Sequence, residues 1–238
     1  MLSSLEKYES ALESERNDFN DKILVPFLSL TDEKQLLHFW ICYCSDGVGM
    51  TQPVEMWIKK AGERCIDLGY TVLGNQLIKH AIHEANHDKM MVEDTKNLVD
   101  IWNKKYESKV TAEDFLSAPL KSSVISYQAL HENTIKSDAP YGQIAIEYEI
   151  ERLSATIGLQ VLQHSGKVLG EEILSSLSFL TDHSRIDVAH TEYNKKALSQ
   201  FLISSPETLD NLIISGKNAL KTYGAFVREC YLNSVYLD

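Results

Sequence analysis

Residues 75–106 contain neither glycine nor proline. A stretch that long without a chain breaker favours helix, because these two residues are the ones that most weaken the i to i−4 hydrogen-bond ladder. The scarcity extends to the whole chain, with 11 Gly and 5 Pro in 238 residues. Apolar residues recur at spacings of three and four almost throughout, and no alternating pattern of five or more residues stands out. No repeat and no linker is visible. The expectation is one all-α domain, residues 1–238, of seven to nine helices.

The first helix falls at 2–20, with Leu5, Tyr8, Leu12 and Phe19 on one side, and Pro26 punctuates the chain after it. Thr31 and Asp32 with Gln35 form an N-terminal signal for a strongly apolar helix through Leu36, Phe39, Trp40 and Tyr43. Asp46-Gly47-Val48-Gly49 is expected to close it, and Pro53 suits the first turn of the next. One long helix is expected over 70–106. Thr111-Ala112-Glu113-Asp114 starts a short one, and Pro119 restarts the chain into 120–136. Ser137-Asp138-Ala139-Pro140 caps a helix at 140–164. A break at Gly166 and Gly170 follows, then helices at 171–181, 183–203 and 206–236.

Composition narrows the function. Asp plus Glu number 34 against 23 Lys plus Arg, a net charge of −11. Such a chain repels phosphate and shows no basic patch, which argues against a nucleic-acid binder. No run approaches the ~18 apolar residues of a membrane span. The first residues are charged from Glu6 onward and lack an apolar signal region, so a cytoplasmic location is expected. Cys42, Cys44, Cys65 and Cys230 fit neither a zinc knuckle nor a CxxC redox pair, and are expected to be reduced thiols.

The histidines cluster. His80, His83 and His87 fall within eight residues with Glu84 among them, and His183 and His190 bracket Asp187. At about 100° per residue, His183, Asp187 and His190 project from one helix face within an arc of roughly 60°, and His80, Glu84 and His87 would do the same. Apolar neighbours such as Leu180, Ala197 and Leu198 turn the first face towards the core. Burying a carboxylate and two imidazoles unpaired would cost several kcal/mol per charge, and a metal ion is one way to satisfy them.

Carboxylate-bridged two-metal centres in helical bundles use Glu and His projecting inward, often as E-x-x-H, which Glu84 and His87 match. A third helix carries the stripe Ile144, Tyr148, Glu151 and Ala155, with Glu147 and Glu149 as neighbouring candidates. Each motif alone has an ordinary structural explanation: a solvated E-x-x-H, a buried His–Asp hydrogen bond, a Glu151–Arg152 ion pair. Their conjunction on three helices, with no cysteine among them, points to an open iron or manganese site rather than a closed zinc site.

The stretch from Leu180 through Asp182-His183-Ser184-Arg185-Ile186-Asp187-Val188-Ala189-His190 resembles the last ligand helix of the heme-oxygenase-like diiron oxidases and oxygenases, where H-x3-D-x2-H is the signature. Tyr148-Glu149-Ile150-Glu151 is similar to the family's Y-x-x-E, and Asn86-His87 resembles its earlier ligand histidine. The resemblance covers roughly 70–202. It implies a heme-oxygenase-like helical bundle and a ligand set of His87, Glu151, His183, Asp187 and His190. Glu84 or His80 would complete the set, and Glu147 would be the fallback for Glu151.

The resemblance further implies two Fe(II) ions per chain, the second held more weakly, and O2 as co-substrate. The implied chemistry is oxidation or fragmentation of a small molecule in a biosynthetic pathway. An amino acid cleaved at C–C or C–N, to an alkene or nitrile, is the favoured substrate. Tyr148, Arg152 and Arg185 are substrate-binding candidates, beside the flanking Lys79 and Lys89 and the aromatic Tyr141, Phe179 and Tyr193. No nucleic acid or membrane partner is implied, and a homodimer is compatible. The competing readings are a metal-free thiaminase-like hydrolase using a cysteine, a heme-degrading enzyme using His38, and a non-catalytic helical binding protein.

Overall fold

A computed structural model describes residues 2–235. Among the described residues there is no strand, and nine helices exceed one or two turns. We number these α1 (Ser4–Phe19), α2 (Glu33–Thr51), α3 (Val54–Asp67), α4 (Thr71–Ala81), α5 (His87–Tyr106), α6 (Ser122–Lys136), α7 (Gly142–Leu169), α8 (Ser178–Ser204) and α9 (Leu209–Ser234). The most extensive packing is of α7 on α8, α3 on α4, α2 on α5 and α9 on α7. One apolar cluster centres on Phe39, Trp40, Trp57 and Phe226. A second centres on Tyr8, Leu12, Ile58 and Leu198. None of the helices is long and apolar enough to cross a membrane.

Local chemistry sets several ends. Asp32 accepts from the Gln35 backbone N–H at 2.8 Å to start α2, as expected, and Ser3 and Glu6 form a reciprocal capping box on α1 that the sequence reading did not name. Thr111 and Asp114 cap the short helix Ala112–Leu116 in the same way. Gly170, at φ 97°, ends α7.

Other expectations fail for identifiable reasons. Gly47 and Gly49 do not close α2, which runs through both to Thr51. A Cβ at Gly47 would lie 2.6 Å from Met91 Sδ, so this glycine marks where α5 crosses α2. Gly166 lies inside α7. Residues 171–181 are not one helix: a 3-10 segment spans Glu171–Ser176, and α8 carries His183, Asp187 and His190 without interruption. Pro26 does not break the chain sharply. A π-helical turn at Asn20–Leu24 leads from α1 into the helical turn Val25–Leu28, with Pro26 at its start.

The expected 70–106 helix is two helices. α4 stops at Ala81, Ile82–Glu84 form a 3-10 turn, and Asn86 adopts φ 70°, ψ 11° before α5 begins at His87. Asn tolerates the left-handed region better than most non-glycine residues, so the break needs neither Gly nor Pro.

On α7, Glu149 faces away from Glu147 and Glu151, which corrects its reading as a neighbouring candidate. Its fully buried carboxylate accepts from Arg16 Nε at 2.9 Å, Arg16 Nη2 at 2.6 Å and Tyr8 OH at 3.0 Å. This bidentate pair ties α1 to α7.

Candidate metal centre

The end of α4, the turn after it, the first residue of α5, and the middles of α7 and α8 deliver the expected side chains to one place. His80 Nε2 lies 2.9 Å from Glu151 Oε1 and 3.9 Å from Glu84 Oε1. His190 Nδ1 is 3.5 Å from Glu84 Oε1, 3.6 Å from Glu151 Oε1 and 3.7 Å from Asp187 Oδ1. On the other side, His87 Nδ1 is 3.0 Å from Glu84 Oε2 and 3.1 Å from His183 Nε2. Two donor groups result: His80, Glu84, Glu151 and His190, and Glu84, His87 and His183. Glu84 belongs to both, with a different oxygen facing each.

His80, Glu84 and His87 do not share a continuous helix face, contrary to expectation. The reversal at Asn86 brings His87 back onto Glu84 instead. Glu151 lies within a donor group; Glu147 does not, and neither does Asp187, an expected ligand that stands beside His190. Glu147 is buried nearby and accepts from Gln143 Nε2. His83 is exposed, its ring centre 5.6 Å from that of His190.

The donor set fits a cation. Glu151 Oε1 and His190 Nδ1 are buried with no hydrogen-bond partner, despite the short approach of His80 to the former. A buried polar atom left without a partner costs about 1–3 kcal/mol. Burial, then the charge of Glu84, pushes the Glu151 carboxyl well above its ordinary range. Burial and Glu151 push Asp187 up to about 8. A cation among these carboxylates would offset both effects. Burial, with His87 beside it, pushes His183 down to about 4, which keeps the imidazole neutral as a ligand must be.

Outer contacts orient the donors. His183 Nδ1 donates to the Phe179 carbonyl at 2.7 Å, so Nε2 is the free nitrogen facing His87. Asn194 Nδ2 donates to Glu151 Oε2 at 2.5 Å. Asn194 is fully buried and was missed in the sequence, although it extends the stripe His183, Asp187, His190 by one more helical turn.

A cavity of about 160 Å³ opens beside this cluster. Glu84, His87, Glu147, Glu151, His183 and Asp187 line one end, and the remainder is chiefly apolar and aromatic, including Phe27, Phe39, Trp40 and Phe226. Among the described residues no Lys, Arg or Cys lines it. The substrate-binding candidates therefore lie elsewhere. Tyr148 faces α1 and donates to Glu9 Oε1, Arg152 is half-buried off the cavity, and Arg185 is exposed. Phe179 does line the cavity. Tyr193 donates to the Gln76 carbonyl instead, Tyr141 accepts from Asn211, and Lys79 and Lys89 are exposed. His38 packs against Trp102 with Nδ1 at the Ser234 carbonyl, away from the cavity. The four cysteines are free and buried, and burial pushes the Cys42 and Cys65 thiols up to about 12.

No protein-family model and no curated protein matches the chain. One solved structure with a similar shape is a domain of unknown function from Shewanella denitrificans OS217, whose description gives it a heme oxygenase-like fold. The two superpose with a TM-score of 0.69 at 18% identity, covering 95% of this chain and 88% of that one. At that identity the likeness carries the fold alone. The chain therefore has the heme oxygenase-like all-helical fold.

Proposed function

We propose that the chain is a non-heme diiron oxygenase or oxidase that uses O2 to oxidise or fragment a small organic substrate. The observation that carries this reading is Glu84, of which one carboxylate oxygen faces His80, Glu151 and His190 and the other faces the imidazoles of His87 and His183. One carboxylate shared between two such groups is the arrangement a two-metal site needs. Nitrogen and oxygen donors without thiolate favour iron or manganese, and the H-x3-D-x2-H resemblance favours iron. Two Fe(II) ions, when bound, would supply the O2-activating redox chemistry.

The chain's own residues set the rest. His80, Glu151 and His190 would hold one ion, His87 and His183 the other, with Glu84 between them and Asp187 beside His190. The Phe179 carbonyl fixes the His183 tautomer, and Asn194 fixes the Glu151 carboxylate. Glu147 stands at the same end of the cavity and is the nearest further carboxyl for holding a proton. Burial there raises it to about 8.

The apolar lining would hold the substrate's carbon skeleton and exclude water. An amino acid with an apolar side chain suits it if its charged groups lie at the carboxylate–imidazole end. No cation on the rest of the lining would hold them. The placement of the cysteines away from the cavity favours this reading over a thiaminase-like hydrolase.

The test is metal stoichiometry after anaerobic loading with Fe(II), followed by exposure to O2 in a stopped-flow spectrophotometer. Two ions per chain and a transient visible band are expected. No retained iron, and no band with amino acids or fatty acids present, would return the cluster to a buried hydrogen-bond network in a binding protein.

A further inference from the structure

The cavity has a wall in common with the surface. An open groove of about 850 Å³, lined by α1, α6 and α9, lies outside it. Among the described residues, Phe19 and Ile23 are the two side chains that line both spaces. We propose that small apolar molecules reach the cavity by displacing Phe19 and Ile23 towards this groove. This rests on the cavity being the ligand chamber of the proposed function.

Three features of the wall support the proposal. Ile23 sits in the π-helical turn Asn20–Leu24, which begins just after Phe19; there Val25 N–H reaches the Asn20 carbonyl, and Pro26, the next residue, has no N–H to donate. That ladder is looser than an α-helical one. Opposite stands Gly224 of α9. A Cβ there would lie 3.5 Å from Phe19 Cδ2 and 3.6 Å from Ile23 Cγ1, so only hydrogen now backs both side chains on that flank. Packing holds Phe19 in its place: its ring stacks on Tyr223 at 6.1 Å between centroids, and Tyr223 lines the cavity.

The groove carries charge of both signs in equal number: Lys22 pairs with Asp18 at 2.6 Å and Lys221 with Glu15 at 3.3 Å, and Arg228 and Glu229 add one of each. The passage therefore suits a molecule whose leading part is uncharged.

Trp40, on the cavity wall, reports arrival without metal or O2. The test is quenching of its fluorescence by 2,2,2-trichloroethanol in the full metal-free chain, with the Trp40 signal taken as the difference from Trp40→Phe. Gly224→Ala places a methyl in ordinary contact with both side chains and favours helix. It should slow quenching severalfold, while Ile23→Ala should speed it severalfold. Val54→Ala, elsewhere on the lining, should leave it unchanged. An unchanged rate in Gly224→Ala overturns the proposal whatever Ile23→Ala does, and so does equal acceleration by Val54→Ala. Because the readout needs no iron, its failure leaves the metal reading standing, and absence of iron binding leaves the passage standing.

Discussion

Asn194 donates from Nδ2 to Glu151 Oε2 at 2.5 Å, while Glu151 Oε1, the other oxygen of the same carboxylate, has no hydrogen-bond partner. One oxygen is fixed from behind, and the other faces His80 Nε2 at 2.9 Å and His190 Nδ1 at 3.6 Å, where the proposed ion would be held. The α8 helix thus contributes twice, through its histidines and through the amide that aims a carboxylate on α7.

Removing that amide tests the arrangement. Asn194→Ala should weaken metal binding by about 10–100-fold, the usual effect of losing an outer contact to a ligand. Titration with Co(II) or Fe(II), with circular dichroism to establish that the helices persist, measures it. Unaltered affinity would mean Glu151 needs no support.

Glu84→Gln separates a shared carboxylate from an ordinary one. The amide retains one oxygen acceptor but cannot serve both donor groups equally. The stoichiometry should fall from two ions per chain to one, read by elemental analysis after anaerobic loading. Two ions retained would place the shared contact elsewhere.

Asn86 sits at φ 70°, where a β-branched side chain is strained. Asn86→Val should cost about 1–3 kcal/mol of stability and displace His87 from Glu84, lowering metal affinity as well. Asn86→Gly should preserve both. Thermal unfolding and metal titration of the two variants side by side check this.

His131 gives a pH dependence. Burial pushes its imidazole down to about 3, and it stacks on Trp57 with ring centres 4.3 Å apart. The unfolded chain binds a proton near its ordinary value of about 6.5, which the native chain refuses until about 3. Stability should therefore fall as pH drops below about 6.5, with no loss from this group above it. Denaturant midpoints of the metal-free chain at about pH 7 and about pH 5 should differ less in His131→Gln than in the parent. Equal differences would assign the acid sensitivity to other groups.

What could be read in the sequence was local or strictly periodic. The caps at Asp32 and Thr111 involve partners three residues away, so the pattern contains them. The spacing of His183, Asp187 and His190 survives because α8 is regular around them. What failed depended on distant partners. Gly47 looks like a stop until Met91 is seen against it. Tyr148 looks like a neighbour of the site until its hydroxyl is found on Glu9. The kink at Asn86 left no glycine or proline to announce it. Asn194 was hidden because an amide is an inconspicuous member of a stripe of acids and imidazoles.

That kink has a consequence for how such a centre can change over generations. His80 and His87 sit on two separate rods joined by a short hinge, rather than at fixed stations along one. A substitution or a single-residue insertion in the hinge can retune the distance between the two donor groups while every long helix keeps its packing.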